Sequence, residues 1–283
     1  MYKVKLCLGT SDQYGIGIKE QITIFKNTGF DAYFLVWNKD IDMIDIKKHG
    51  DSLGMIFQSV HAPFYNVDKM WEKEETAKDA IDVLLKCLED CAKAEVPIMV
   101  CHSFIGFDKH TPTYEGISHF KIIVDRAKEL GIKIAFENIE GEEYLESVMT
   151  AFSDYDNVGF CWDTGHEMCY NHNKDMMALY GDKILCTHLN DNLGISDYKG
   201  KIFWTDDLHL LPFDGVADWK SIVHRLNRHN YNDILTFELK IKSKPERHEN
   251  DVYEKMPVEE YICEAYKRAC KVAMMKLRDN NSI

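Results

Sequence analysis

Six residues able to bind protons or metals recur at one kind of place in this chain, the end of a short apolar run. They are His61, His102, Glu137, Asp163, His188 and Glu238, in runs such as Ile-Phe-Gln-Ser-Val-His61 and Ile-Met-Val-Cys-His102. An ionisable group at the end of a buried strand is costly unless it is paired or bound to an ion. One such residue is most simply a satisfied polar group; six in series call for a shared cause. Two short motifs extend the set, Asp163-Thr164-Gly165-His166 across a tight turn and Asp207-Leu208-His209, each with a carboxylate beside an imidazole. Mixed nitrogen and oxygen donors suit a divalent metal, Mn²⁺ or Zn²⁺ first and Co²⁺ or Mg²⁺ as alternatives. The lack of clustered thiolates argues against a structural zinc site. The remaining histidines, His49, His110, His119, His172, His224, His229 and His248, read as surface or helix residues without a role.

Such a set works only if the chain brings its strand ends together. Short β-branched runs alternate with longer amphipathic stretches, the pattern of parallel strands joined by crossover helices. Strands are predicted at 3–10, 31–37, 55–61, 98–103, 133–138, 158–163, 184–190 and 234–239. Helices are predicted at 17–27, 71–95, 114–130, 142–152, 219–229 and 258–276, with weaker patterns at 42–49 and 174–180. Gly29 and Gly131 stand where C-cap glycines are expected. Eight such units in a row imply a single (β/α)8 barrel over residues 1–283, with an open doubly wound sheet as the fallback. In a barrel the strand ends converge on the C-terminal mouth, where active sites are built. The one long irregular segment, 191–218, reads as functional for its length.

The 283 residues are 45% hydrophobic and carry a formal charge of −13. That length suits one α/β barrel, which needs about 250 residues. An acidic surface repels phosphate backbones and anionic membranes, so nucleic acid and membrane are unfavoured partners. The nine cysteines form no CxxC pair and read as reduced thiols of a cytoplasmic protein. No signal peptide or membrane span is visible, since no stretch approaches about 18 apolar residues.

Taken together in order and spacing, Ser-Val-His61-Ala-Pro, Val-Cys-His102-Ser, Ala-Phe-Glu137-Asn, Cys-Trp-Asp163-Thr-Gly-His166, Thr-His188-Leu-Asn-Asp and Phe-Glu238-Leu resemble the xylose-isomerase-like barrel superfamily. The resemblance runs from about residue 4 to about residue 239. The superfamily holds sugar and sugar-phosphate isomerases and epimerases together with endonuclease IV. Likeness to its ketose epimerases implies a metal held by Glu137, Asp163, His188 and Glu238, with Glu137 and Glu238 as acid and base beside a substrate carbonyl. It further implies substrate contacts from His166 and Glu143. Those epimerases carry an Arg six residues past the metal His, where this chain has Gly194. Likeness to endonuclease IV implies three metals and nine ligands, adding His61, His102, His166, Asp207 and His209. The segment after His188 lacks the cationic residues that a grip on duplex DNA needs. His209-Leu-Leu-Pro-Phe-Asp-Gly is similar to the His-x-Pro-Gly-x-Gly loop of sugar isomerases, with Phe213 in place of a glycine.

Trp37 and Trp204 are candidates to stack on a sugar's apolar face. Lys240, two residues past Glu238, is a candidate for a substrate phosphate or carboxylate, although no Gly-rich phosphate cradle is present. The expected function is therefore a metal-dependent isomerase or epimerase of a sugar or polyol-derived keto sugar. An abasic-site endonuclease is the alternative, and a non-catalytic sugar binder ranks last. A homo-oligomer is possible, through the apolar helix after Pro257.

Overall fold

The computed structural model describes residues 4–108 and 111–280, so Lys3 in the first predicted strand and His110 lie outside the described residues. Eight parallel strands form a barrel: β1 (Leu6–Gly9), β2 (Ala32–Val36), β3 (Ile56–His61), β4 (Ile98–His102), β5 (Lys133–Glu137), β6 (Val158–Asp163), β7 (Ile184–His188) and β8 (Leu235–Phe237). Neighbours run in sequence order, and β1 also pairs with β8. The last seam closes at one parallel bridge, Leu189 to Phe237. There the Thr187 hydroxyl accepts from the Thr236 amide at 3.1 Å.

Strand alternation divides the interior in two. Along β6, Phe160 and Trp162 face the helices, while Cys161 and Asp163 face the barrel axis. Mostly small residues fill that axis, Val100, Ala135, Cys161 and Cys186 on one side and Cys7 and Ala32, with the larger Phe34 and Ile234, on the other. Among the described residues the helices are α1 (Ile18–Thr28), α2 (Met43–Ser52), α3 (Glu74–Lys93), α4 (Tyr114–Leu130), α5 (Glu142–Ala151), α6 (Thr164–Cys169), α7 (Met176–Tyr180), α8 (Trp219–Arg228) and α9 (Val258–Asn280). The α4 helix begins where the Thr113 hydroxyl accepts from the Gly116 amide, and ends at Gly131 with φ of 71°. The C-terminal helix α9 packs on α1 and α8, burying Tyr261, Ile262, Ala265, Ala269 and Val272. No helix among the described residues is long and apolar enough to cross a membrane. None of the nine cysteines is in a disulfide.

Two local expectations change. The β8 strand spans three residues, because past Phe237 the backbone turns to the loop after β7: the Lys240 amide donates to the His209 carbonyl at 3.0 Å. The tight turn expected at Asp163–His166 is the first turn of helix α6. The Asp163 side chain caps it, accepting from the His166 amide at 2.7 Å.

Candidate metal centre

The barrel places all nine candidate ligands at one mouth, in three groups whose ligand atoms lie within 4.8 Å of one another. His61, His102 and Glu137 form the first. Glu137, Asp163, His188 and Glu238 form the second, and His166, Asp207 and His209 the third. Glu137, at the end of β5, belongs to the first two and is fully buried. Its Oε1 accepts from His188 Nδ1 at 2.7 Å, and its Oε2 lies 3.2 Å from both His61 Nε2 and His102 Nε2. Glu238 Oε2 is 3.0 Å from the same His188 Nδ1.

The donor set fits a metal. Glu137 Oε2, both His102 ring nitrogens and Asp207 Oδ1 are buried yet make no aligned hydrogen bond. A buried polar atom without a partner is expensive, and a cluster of them calls for a shared cation. Two ligands about 2.1 Å from a tetrahedral ion stand about 3.4 Å apart, near the 3.2 Å separations around Glu137 Oε2. The ring orientations are fixed from behind. His61 Nδ1 bonds the Ala62 carbonyl at 2.7 Å and His166 Nδ1 the Asn138 carbonyl at 2.9 Å. The His188 ring stacks on Phe34 with centroids 4.8 Å apart. Such outer contacts orient metal ligands.

Three polar residues that stood in the quoted motifs without an assigned role, Asn138, Asn190 and Asp191, hold this arrangement. Asn138 binds across to β6, accepting from the Asp163 amide and donating to the Asp163 carbonyl, both at 2.8 Å. Asn190 Nδ2 donates to Asp163 Oδ2 at 2.8 Å. Asp191 is wholly buried and gathers the long loop onto itself. Its Oδ1 accepts from the Asn192 and Ala217 amides at 2.9 Å, and its Oδ2 from the Phe213 amide and Trp219 Nε1 at 2.8 Å. Asp191 and Leu210 also exchange backbone hydrogen bonds at 2.9 Å, which sets the Asp207–His209 stretch over the mouth. His209 and Phe213 take φ of 50° and 75°, strained for residues with side chains. Phe213 thus adopts the backbone that its glycine counterpart would take freely.

The charges are strongly coupled. Burial alone would raise Glu137, yet the charged His188 ring and the contacts with His102 and His61 hold it well below the usual carboxylate range. Glu238 and Asp207 are depressed in the same way: burial is outweighed by His209 and His188 at Glu238, and by His209, His166 and Lys244 at Asp207. Asp163 is pushed up to about 6, chiefly by burial, with His166 and His209 opposing. Burial would lower His166 and His188, but the carboxylates around each raise both well above a free imidazole. His102 is lowered, first by burial, which suits a neutral ligand.

Beside the candidate ligands opens a cavity of about 580 Å³ whose lining includes His61, Glu238, Trp37, Phe64 and Lys240. Trp37 is buried and locked by its indole donating to Asp90 Oδ2 at 3.2 Å. Lys240 Nζ is 3.7 Å from Glu238 Oε1. Glu143 is exposed in the first turn of α5 and lines a separate cavity with Phe107, Tyr170 and Lys201, which none of the nine ligands lines. Trp204 is 54% exposed, with Lys244 Nζ 5.2 Å from its ring centroid, and lines neither cavity.

Residues 22–257 match the family model described as the xylose isomerase-like TIM barrel. The uncharacterized protein y4fM of Sinorhizobium fredii is 35% identical over 116 residues, covering 39% of this chain and 34% of that protein. The uncharacterized protein MJ1311 of Methanocaldococcus jannaschii is 24% identical over 196 residues, 64% of each chain. The match therefore spans about a third of one curated relative and just under two thirds of the other. Among solved structures, the IOLI protein with a binding zinc atom superposes with a TM-score of 0.73 at 20% identity, covering 95% of this chain and 97% of that one. L-ribulose 3-epimerase gives 0.72 at 13% identity, over 99% and 97%. At these identities the likeness is one of fold.

Proposed function

We propose that this chain, which belongs to the xylose isomerase-like TIM barrel family, is a divalent-metal-dependent isomerase or epimerase of a sugar or polyol-derived keto sugar. The observation that carries the reading is the four-ligand group Glu137, Asp163, His188 and Glu238, of which Glu238 lines the adjoining cavity. The names of two fold neighbours, a zinc-bound IOLI protein and an L-ribulose 3-epimerase, accord with it.

A bound ion would supply Lewis acidity, polarising a substrate carbonyl and stabilising the charge that develops as an adjacent proton leaves. The protein's own groups do the rest. Glu238 Oε2 is directed to His188, which leaves Oε1 on the cavity side, beside Lys240, to take or return the proton. Glu137, held deeper by three imidazoles, is its partner in the pair and fixes the geometry of the two groups it joins. Trp37, immobilised by Asp90, forms a flat wall for the apolar face of a sugar ring.

The separate third group, His166, Asp207 and His209, favours one second reading: a three-metal phosphodiesterase acting on abasic DNA. Proton NMR in D₂O, with a panel of ketoses, aldoses and inososes, tests the first. Deuterium entering beside a carbonyl with the wild type and not with Glu238→Gln supports it. Exchange that persists at wild-type rate in Glu238→Gln refutes the proton-transfer role. No exchange on any substrate together with cleavage of an abasic duplex establishes the second reading instead.

A further inference from the structure

The third group has a resident cation. Lys244 Nζ lies 3.3 Å from Asp207 Oδ2 and donates to the Trp204 carbonyl at 3.4 Å. The Lys244 amide is tied to Glu249 Oε1 at 2.9 Å, so the ammonium is delivered by an ordered turn. Arg247 repeats the contact on the preceding residue, with its guanidinium 3.3 Å from Oδ1 of the buried Asp206. Two cations of the segment after β8 thus clasp two adjacent acids of the segment after β7.

Both Asp207 oxygens are engaged. Its Oδ2 meets Lys244 and also His209 Nε2 at 3.0 Å, while its Oδ1 stands 3.4 Å from His166 Nε2 and 2.9 Å from His209 Nε2. Asp207 is the only carboxylate of its group. The four-ligand group also has a nearby lysine, Lys240, but sets three carboxylates against it. No lysine contacts the His61, His102 and Glu137 set among the described residues. At 20% exposure for Lys244 and 13% for Asp207, water screens the pair only in part.

We infer that Lys244 is a positioning residue that holds the Asp207 carboxylate against His166 and His209. Its fixed charge then makes this group the weakest of the three for a divalent ion. The inference rests on the metal-binding reading of the mouth and is independent of which substrate is turned over. A lysine that only braced the loop would lower metal affinity when removed. A lysine that also opposes the ion raises affinity when removed, so the two roles have opposite signs.

The test uses the full chain, stripped of metal and titrated with Co²⁺, with bound metal counted after equilibrium dialysis and the visible Co²⁺ spectrum followed. In the wild type the third Co²⁺ binds at least tenfold more weakly than the second. Lys244→Met tightens that third step at least tenfold, about 1.4 kcal/mol. Lys244→Gln moves it in the same direction, which guards against a folding defect peculiar to one variant, and Lys244→Arg restores wild-type behaviour. Three ions bound with a third step unchanged or weaker in Lys244→Met and Lys244→Gln overturns the role of the charge. Fewer than three ions in every variant overturns the inference together with the three-group reading.

Discussion

Asp191→Asn should damage both the fold and the metal mouth, by an amount that follows from its four hydrogen bonds. Each carboxylate oxygen accepts two donors at 2.8–2.9 Å in a site without solvent exposure. The carboxamide keeps one oxygen, so one pair of donors is faced by an NH₂ group that cannot accept. Hydrogen bonds to a charged group contribute about 1.5–3 kcal/mol each, so losing two costs about 3–6 kcal/mol. Total stability is on the order of 5–15 kcal/mol, so the loss is a large share. At about 2 °C per kcal/mol for a chain of this size, the thermal midpoint falls by about 6–12 °C. The loop anchored by Asp191 carries Asp207 and His209, so metal bound by the third group should be lost before metal bound by the other two. Calorimetric melting together with metal counting after dialysis checks both parts. Exposed Asp154→Asn serves as the control and should shift stability by under about 0.5 kcal/mol. If Asp191→Asn melts within 2 °C of wild type and keeps its full metal complement, the loop is held by packing and the hydrogen-bond reasoning fails.

Metal binding should release about two protons per chain near pH 7, because His166 and His188 sit well above a free imidazole without metal and must be neutral to ligate; calorimetry in buffers of different ionisation enthalpy counts them. The same shifts fix a stability trend. Raised imidazoles contribute stability that is fully present below about pH 6.5 and is lost as pH rises through their folded values. The metal-free protein should therefore melt lower at pH 9 than at pH 7, and an unchanged midpoint would remove the two charged rings from the account. Gly165→Ala places a Cβ 1.9 Å from Asn190 Oδ1, which must dislodge the side chain that orients Asp163. Overpacking of this kind costs about 1–3 kcal/mol, and affinity at the four-ligand group should drop with it, as zinc titration against a chromophoric chelator would measure.

How much was legible in the sequence depended on the range of the forces involved. The β6 strand is found at 158–163 as expected, because its alternation and its Asp163 terminus are both local. Helix α6 was hidden: six residues are too few for a periodic stripe, and Asp-Thr-Gly-His looks like a turn until the Asp is seen to cap. The strand-end rule located His61, His102, Glu137 and His188, since each follows its apolar run directly. Asp191 escaped it. Leu-Asn-Asp-Asn-Leu-Gly has the composition of a solvated turn, and three of the four donors to Asp191 lie 22–28 residues onward. One local signal was available: three polar residues directly after a buried strand, ahead of a long loop, need a reason to be there. Lys244 was invisible for the same cause, its acid being 37 residues away.

Charge balance explains why these scattered residues form one system. Glu137, Asp163, Asp207 and Glu238 would be ruinous together in a dry barrel mouth if nothing opposed them. Without metal, the groups set against them include the raised imidazoles His166 and His188, His209 beside Asp207 and Glu238, and the ammoniums Lys240 and Lys244. In the proposed reading, an ion entering the four-ligand group would displace the His188 proton and leave the mouth one charge more positive than before. An ion in the third group does the same through His166, this time against Lys244. Loading therefore grows less favourable step by step unless an anionic oxygen arrives, and a substrate developing negative charge beside the metal is such a partner. In the proposed metal-binding reading, the two lysines would couple how many ions the mouth retains to whether its cavity is filled.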